Sequence, residues 1–349
     1  MGSGKKKQHF GMRVGGGLLL AAFLGFSAFY GTAEADTAPD KADLQECFLQ
    51  ALETVPGNTT VDELRARCQA EQMAAAEKKK DEGIVEQRIY TDDENMLRPF
   101  TLMAHRQNYI LLANYNPDPN NEVWWDAGID QDNELDKIEA QFQVSIKVPL
   151  AVDLFDDKLD IFAAYTVRSF WQVYNEAVSA PFRETNYEPE GWLQFRPNWS
   201  FWGIKNVANA IGINHQSNGR NEPISRSWNR IFAAFIFEKD NLVFTVKPWY
   251  RIPEDDEDDN NPDLTDYMGH YELRLAYKWR DHTFSLMSRN NIESGFSRGA
   301  VEGTWSFPLW DYKYLKGFVQ GFSGYGQSLI DYNVYQKSIG IGFAITDFL

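Results

Sequence analysis

From about residue 100 to the C-terminus, apolar residues recur at every second position. Between residues 137 and 150 the even positions Ile138, Ala140, Phe142, Val144, Ile146, Val148 and Leu150 are apolar, while the odd positions through Lys147 are charged or polar. A period of two predicts a strand with one apolar and one polar face. Strands of soluble proteins average five or six residues, whereas strands that cross a bilayer need about 9–11. A 14-residue alternation therefore predicts a membrane-spanning strand. The chain closes on the same pattern, with Ile339, Ile341, Phe343 and Ile345 alternating with small or polar residues before the final Phe348 and Leu349. A terminal strand of this kind suits a sheet that closes on itself and leaves no edge in lipid. Asp347 breaks the apolar stripe, which is tolerable at a membrane surface and costly at mid-depth.

About twelve such runs can be counted, from one near residues 101 to 115 to one at 333 to 349, including 204 to 217 and 226 to 239. Some 250 residues over twelve strands gives about 21 each, a spanning strand plus its share of the turns. The expected fold is all-β, a twelve-stranded antiparallel transmembrane β-barrel over residues 98–349.

The first 97 residues read differently. Residues 1–35 have the form of a secretory signal: Lys5, Lys6, Lys7 and Arg13, then an apolar stretch, then Ala33-Glu34-Ala35 at the expected cleavage site. Residues 36–97 are expected to form a periplasmic N-terminal helical segment. Two helical stretches, residues 43 to 54 and 61 to about 80, flank the turn Pro56-Gly57-Asn58, and each carries one of the two cysteines, Cys47 and Cys68. In an exported protein these are expected to form a disulfide that staples a helical hairpin.

Composition sharpens the compartment more than the fold. There are 51 aromatic residues (24 Phe, 16 Tyr, 11 Trp), yet mean hydropathy is only −0.47 and formal charge is −16. Outside the leader no apolar run is long enough for a helical polytopic protein, and the aromatic content excludes an acidic disordered chain. Removing the signal leaves 30 basic against 49 acidic residues, a net charge of −19. Nucleic acid is excluded as a partner, because a phosphate backbone demands a basic footprint. Six consecutive acidic residues, 254 to 259, fall between two strands and read as a solvated loop or, alternatively, a cation site.

Candidate chemistry gathers where the run 204–217 meets the run 226–239. His215 and Ser217 continue the odd-numbered stripe of Val207, Ile211 and Ile213, and Asn229 shares parity with Ile231, Ala233, Phe235 and Phe237. Polar residues that extend a lipid-facing stripe are costly unless paired and used. His, Ser and Asn supply a base, a nucleophile and a neutral group that can accept the imidazole N–H and orient the ring. Spacing alone leaves open a set of polar rim residues at the membrane interface.

The segments His215-Gln216-Ser217-Asn218-Gly219-Arg220 and Ser225-Arg226-Ser227-Trp228-Asn229-Arg230 resemble the signature of the outer membrane phospholipase A family of Gram-negative bacteria. Ser169-Phe170-Trp171-Gln172, Val246-Lys247-Pro248-Trp249-Tyr250, Asn261-Pro262-Asp263 and Ser328-Leu329-Ile330-Asp331-Tyr332-Asn333 extend the resemblance over residues 100 to 349. It implies a twelve-stranded barrel with an outward-facing triad near the outer leaflet: Ser217 as nucleophile, His215 as general base, Asn229 orienting His215, and the Gly219 N–H stabilising the oxyanion. It implies hydrolysis of sn-1 and sn-2 acyl esters of phospholipids and lysophospholipids. It also implies a calcium ion (Ca2+) held by the Arg220 carbonyl, the Ser225 hydroxyl and Ser179 of the partner subunit, with activity tied to a reversible homodimer.

Four departures qualify the resemblance. Glu222 stands where members often carry Asp. Val167 stands where some place a Gln that pairs across the dimer, which predicts a weaker or differently built contact. The acidic loop is longer than the pattern expects, and the disulfide hairpin has no counterpart in it. Two other readings of the barrel remain at this stage: a lipid A deacylase, which also uses a His and Ser facing lipid, and a non-enzymatic porin-like barrel.

Overall fold

The computed structural model describes residues 47–49, 51, 59–81, 83–96, 101–126, 134–178, 180–197, 199–255, 257, 259–310, 312–347 and 349. The signal segment lies outside them. Twelve long strands follow in chain order: β1 (Asn108–Tyr115), β2 (Ile138–Asp153), β3 (Leu159–Trp171), β4 (Phe182–Phe195), β5 (Ile204–Ser217), β6 (Ser227–Lys239), β7 (Leu242–Ile252), β8 (Tyr271–Trp279), β9 (His282–Asn290), β10 (Gly299–Leu309), β11 (Tyr312–Gly324) and β12 (Gln336–Thr346). Each pairs antiparallel with the next, and β12 returns to β1 through Ile339 opposite Tyr115 and Phe343 opposite Ile110. The barrel is therefore closed, as the terminal alternation predicts. Two short ladders, Met103–Ala104 on β2 and Trp199–Phe201 on β5, add to its rim.

The period-two pattern is realised as an apolar outside and a polar inside. On β2, Ile138, Val144 and Leu150 are exposed, whereas Glu139, Gln141 and Ser145 are buried in the lumen. Those interior groups are satisfied by one another. Arg106 donates to both Glu188 oxygens (2.7 and 2.9 Å) and to Glu190 (2.8 Å), and Arg183 bridges Glu139 (2.9 Å) and Asp331 (2.6 Å). A charge removed from water is tolerable only when paired in this way.

Connections alternate in length around the barrel. At one end run residues 116–137, 172–181, 218–226, 253–270, 291–298 and 325–335; at the other are the connections 154–158 and 196–203 and the two-residue turns 240–241, 280–281 and 310–311. Outer-membrane barrels carry long loops outside and short turns on the periplasmic side. The loop after β5, which carries the predicted chemistry, is at the long-loop end.

The N-terminal region divides in two. Cys47 and Cys68 are bonded, with Cα atoms 5.9 Å apart, and Cys68 lies in the helix α1 (Val61–Asp81), whose first turn is capped where Thr60 and Glu63 exchange hydrogen bonds. Of the predicted first helical stretch, residues 47–49 and 51 are described and are helical. A second helix, α2 (Ile84–Met96), falls within the segment 36–97 expected to be helical but beyond the two stretches singled out in it. It packs with the barrel, in the compact unit Glu77–Leu349. At the short-turn end Glu238 accepts the Val85 N–H (3.0 Å), Lys147 binds Asp92 (2.6 Å), and Arg196 grips both oxygens of Asp93 (2.6 and 2.7 Å).

Asp347 is turned away from lipid. It accepts hydrogen bonds from Thr283 and Ser306 (2.8 Å each) and from Lys316 (2.7 Å), just past the end of β12. The register slips by one residue between Ala344 and Thr346, and this slip breaks the parity read from the sequence.

Candidate active site

Register brings the candidate residues together. His215 on β5 is the direct cross-strand partner of Asn229 on β6, and Ser217 that of Ser227. Such partners have Cβ atoms about 4.5–5.5 Å apart on one face of the sheet. The intervening pairs point inward and fix the strands from behind. Asn214 faces Arg230, which donates to it through Nε (3.0 Å), and Gln216 faces the fully buried Trp228, whose indole N–H donates to it at 2.9 Å. Each outward site residue thus sits between lumenal residues that cannot shift without breaking a buried bond.

Outside the barrel, His215 Nδ1 lies 2.8 Å from Asn229 Oδ1. A carbonyl oxygen only accepts, so Nδ1 carries a proton, and in the neutral ring that tautomer leaves the lone pair on Nε2. Ser217 lies two residues along the same face of β5, half-buried like His215 and Asn229. No hydrogen bond joins Ser217 to His215 among the described residues. The surrounding surface is apolar, with Ile213, Ile231 and Tyr250 64 %, 45 % and 62 % exposed.

Val207 departs from the parity read in the sequence. Expected to face lipid, it is 5 % exposed, between Asn206 and Ala208, which are also buried. The register of β5 on β6 slips between Asn206 and Ala208. A bulge reverses the alternation there, so Ile204 faces out below it and Ile211 and Ile213 above it. The parity that assigns His215 and Ser217 outward holds only for the upper half of the strand.

The loop after Ser217 is built on Asn218, to which the sequence pattern assigns no role. Asn218, 4 % exposed, accepts the backbone N–H of Arg220 (3.2 Å) and of Arg226 (3.0 Å) through Oδ1 and donates to the Ile224 carbonyl (2.8 Å). It spans the loop from within. Gly219 has a positive φ of 64°, which favours glycine, and a Cβ there would sit tightly, 3.3 Å from the Tyr187 ring. The Arg220 guanidinium donates to the carbonyls of Phe182 (3.0 Å) and Arg183 (3.1 Å), tying the loop to β4.

The next long loop reaches the same place. Asn260 donates to the Ser225 hydroxyl (2.9 Å), Asn261 accepts the Ser227 N–H (3.0 Å), and Glu254, the first of the six acidic residues, accepts from Asn229 Nδ2 (2.9 Å). Asp259, the last of them, pairs with Arg251 at 2.7 Å. Spacing held no signal for these contacts, because they depend on where two loops meet. The expected partner ligand Ser179 lies outside the described residues, and among those described no group of three or more His, Cys, Asp or Glu could hold a metal ion.

A family model described as Phospholipase A1 matches residues 85–345. The chain belongs to the phospholipase A1 family. Among curated relatives, the phospholipase A1 of Klebsiella pneumoniae is 37 % identical over 267 residues, 76 % of this chain and 88 % of that protein. Among solved structures, outer membrane phospholipase A from Escherichia coli is 37 % identical, covers 72 % of this chain and 100 % of its own, and superposes with a TM-score of 0.66. The Salmonella typhi outer membrane phospholipase (OMPLA) dimer with bound calcium is likewise 37 % identical, covers 73 % and 97 %, and gives 0.67. Membership in the phospholipase A1 family fixes the class as a phospholipase in an outer-membrane β-barrel, and it removes the porin-like and lipid A deacylase readings.

Proposed function

We propose that this phospholipase hydrolyses the sn-1 and sn-2 acyl esters of phospholipids and lysophospholipids in the outer leaflet, with a Ser217, His215 and Asn229 triad facing lipid. The observation that carries the reading is the 2.8 Å contact of His215 Nδ1 with Asn229 Oδ1 on the apolar outer face at the long-loop end. Asn229 holds the ring in the tautomer that leaves Nε2 basic. Nε2 takes the Ser217 proton as Oγ attacks the ester carbonyl, then returns it to the departing glycerol oxygen. Water admitted to the acyl-enzyme repeats the exchange and releases the fatty acid. The Gly219 N–H, which has no acceptor among the described residues, is available to the oxyanion.

The donor set fits calcium. The Arg220 carbonyl and Ser225 hydroxyl are hard neutral oxygens, which suit Ca2+ at modest affinity. Asn260 Nδ2 donates to Ser225 Oγ and so orients it. With Ser179 of the partner subunit these residues would hold the ion, which supplies positive charge beside the developing oxyanion. A second subunit is thereby needed to complete the site, which supports a reversible homodimer. Val144, Val167, Tyr187 and Ser217 are successive cross-strand partners over β2 to β5, so Val167 stands in the same row as the nucleophile. An apolar Val there is at ease in lipid, which favours the monomer more than a polar residue would.

The test is phospholipid hydrolysis by the purified protein in detergent, with and without calcium, for the native chain and Ser217→Ala. Loss of roughly a thousandfold or more in the variant, together with dependence on calcium, is expected. Turnover retained by Ser217→Ala would remove the triad assignment.

A further inference from the structure

An Asn in the orienting position must be held the right way round. An amide has an accepting end and a donating end of nearly equal size. With Oδ1 toward His215, Nδ1 carries the proton and Nε2 is a base. With Nδ2 toward His215, Nδ1 must accept, the proton moves to Nε2, and the ring cannot take the serine proton. An Asp has no such ambiguity, so a triad built on Asn needs something that selects one orientation.

We propose that Glu254 is that positioning residue, a carboxylate that fixes the Asn229 amide and passes part of its negative charge through it to His215. This rests on the triad reading above. Glu254 Oε1 lies 2.9 Å from Asn229 Nδ2, on the side opposite the 2.8 Å contact to His215. An ionised carboxylate accepts only, so it binds the NH2 end and rejects the flipped amide. The chain delivers it there by register: Ile252, the last residue of β7, is the cross-strand partner of Asn229, and Glu254 follows two residues later, beyond Pro253. Hydrogen bonds in series polarise one another, so the carboxylate increases the negative charge on Oδ1, where the imidazolium forms as Ser217 gives up its proton. Asn229 and Glu254 together then do what a single Asp does in the commoner triad. The first residue of the acidic run thereby has a role distinct from cation binding.

The experiment exchanges the partners. In the native background Glu254→Gln keeps an acceptor but loses the charge and the selectivity, and kcat on a diacyl phospholipid in micelles should fall about fivefold at saturating calcium, with KM unchanged. Asn229→Asp places two carboxylates in contact and should be poor. Adding Glu254→Gln to it supplies a donor amide for the introduced carboxylate, and kcat should rise about tenfold. The effect of Glu254→Gln thus reverses sign between backgrounds, which no purely structural role would produce. The same factor in both backgrounds, or no detectable turnover in Asn229→Asp with or without Glu254→Gln, overturns the proposal. So does a raised half-activating calcium concentration for Glu254→Gln with kcat unchanged, since Glu254 would then belong to cation binding. Ser217→Ala measured alongside separates the two levels: if it retains turnover the triad reading falls, and if it is dead while Glu254→Gln acts equally in both backgrounds only the role of Glu254 falls.

Discussion

Replacing Asn218 by Ala removes three hydrogen bonds from the loop that carries Gly219, Arg220 and Ser225. Two backbone N–H groups, at Arg220 and Arg226, lose their acceptor, and the Ile224 carbonyl loses its donor. At about 1 kcal/mol for each intramolecular bond, and allowing for water reaching the half-buried loop backbone, the ordered loop loses roughly 1.5–3 kcal/mol. At 1.36 kcal/mol per decade this becomes a fall in kcat of roughly ten- to 150-fold if the ordered loop is required in the transition state. Asn218→Asp is the internal control. A carboxylate still accepts from both N–H groups and loses only the bond to Ile224, so a drop of about fivefold is expected. The assay is initial-rate hydrolysis of micellar phospholipid at saturating calcium, with thermal unfolding followed in parallel to confirm an intact barrel. A wild-type rate for Asn218→Ala, or equal damage from Ala and Asp, would refute the reasoning.

Two further predictions concern the short-turn end. Burial alone raises the Asp347 carboxyl, but hydrogen bonds from Lys316, Thr283 and Ser306 outweigh it and hold the group below its ordinary value. A carboxylate whose pKa is depressed by folding adds stability above its unfolded value, near 3.8, and loses it as pH falls through the folded value. Thermal unfolding of Asp347→Asn should therefore change less with pH below about 4 than that of the native chain; identical acid limbs would contradict this. Arg196→Ala leaves Asp160, only 1 % exposed, without its cationic partner and frees Asp93 on α2. Destabilisation of about 3 kcal/mol and faster proteolytic cleavage near residues 77 to 96 are expected, and an unchanged cleavage pattern would show that α2 is held some other way.

Much of the fold was legible because the bilayer imposes a strict rule on the sequence. Every backbone group must be paired within the sheet and every second side chain must suit lipid, so length and parity along residues 137–150 and 333–349 sufficed for a closed barrel of long strands. The helix α2 does not stand out in the sequence because its apolar positions are few, and what holds it is nonlocal: Val85 and Ile89 pack against Val207, Val243 and Ala276 of the barrel, beside the salt bridges and the Glu238 carboxylate at its N-terminus. Parity failed at two places, Val207 and Asp347, and both follow a register slip of one residue. A slip inverts the phase of the alternation, and in a single sequence one inverted step looks the same as an isolated exception such as Asn209, so only the partner strand shows where the count changes.

The sequence by itself determined the outward stripe that ends in His215 and Ser217 and the matching parity of Asn229, because strand periodicity is local. Only the tertiary structure decided what those residues meet. That His215 stands opposite Asn229 is a matter of register between strands, that Asn218 braces the neighbouring loop depends on its closure, and that Glu254 lies against the Asn229 amide depends on two separate loops arriving at one rim. A hydrogen bond needs its partners within about 3 Å, and no spacing along a chain specifies such a distance between segments joined only through the sheet.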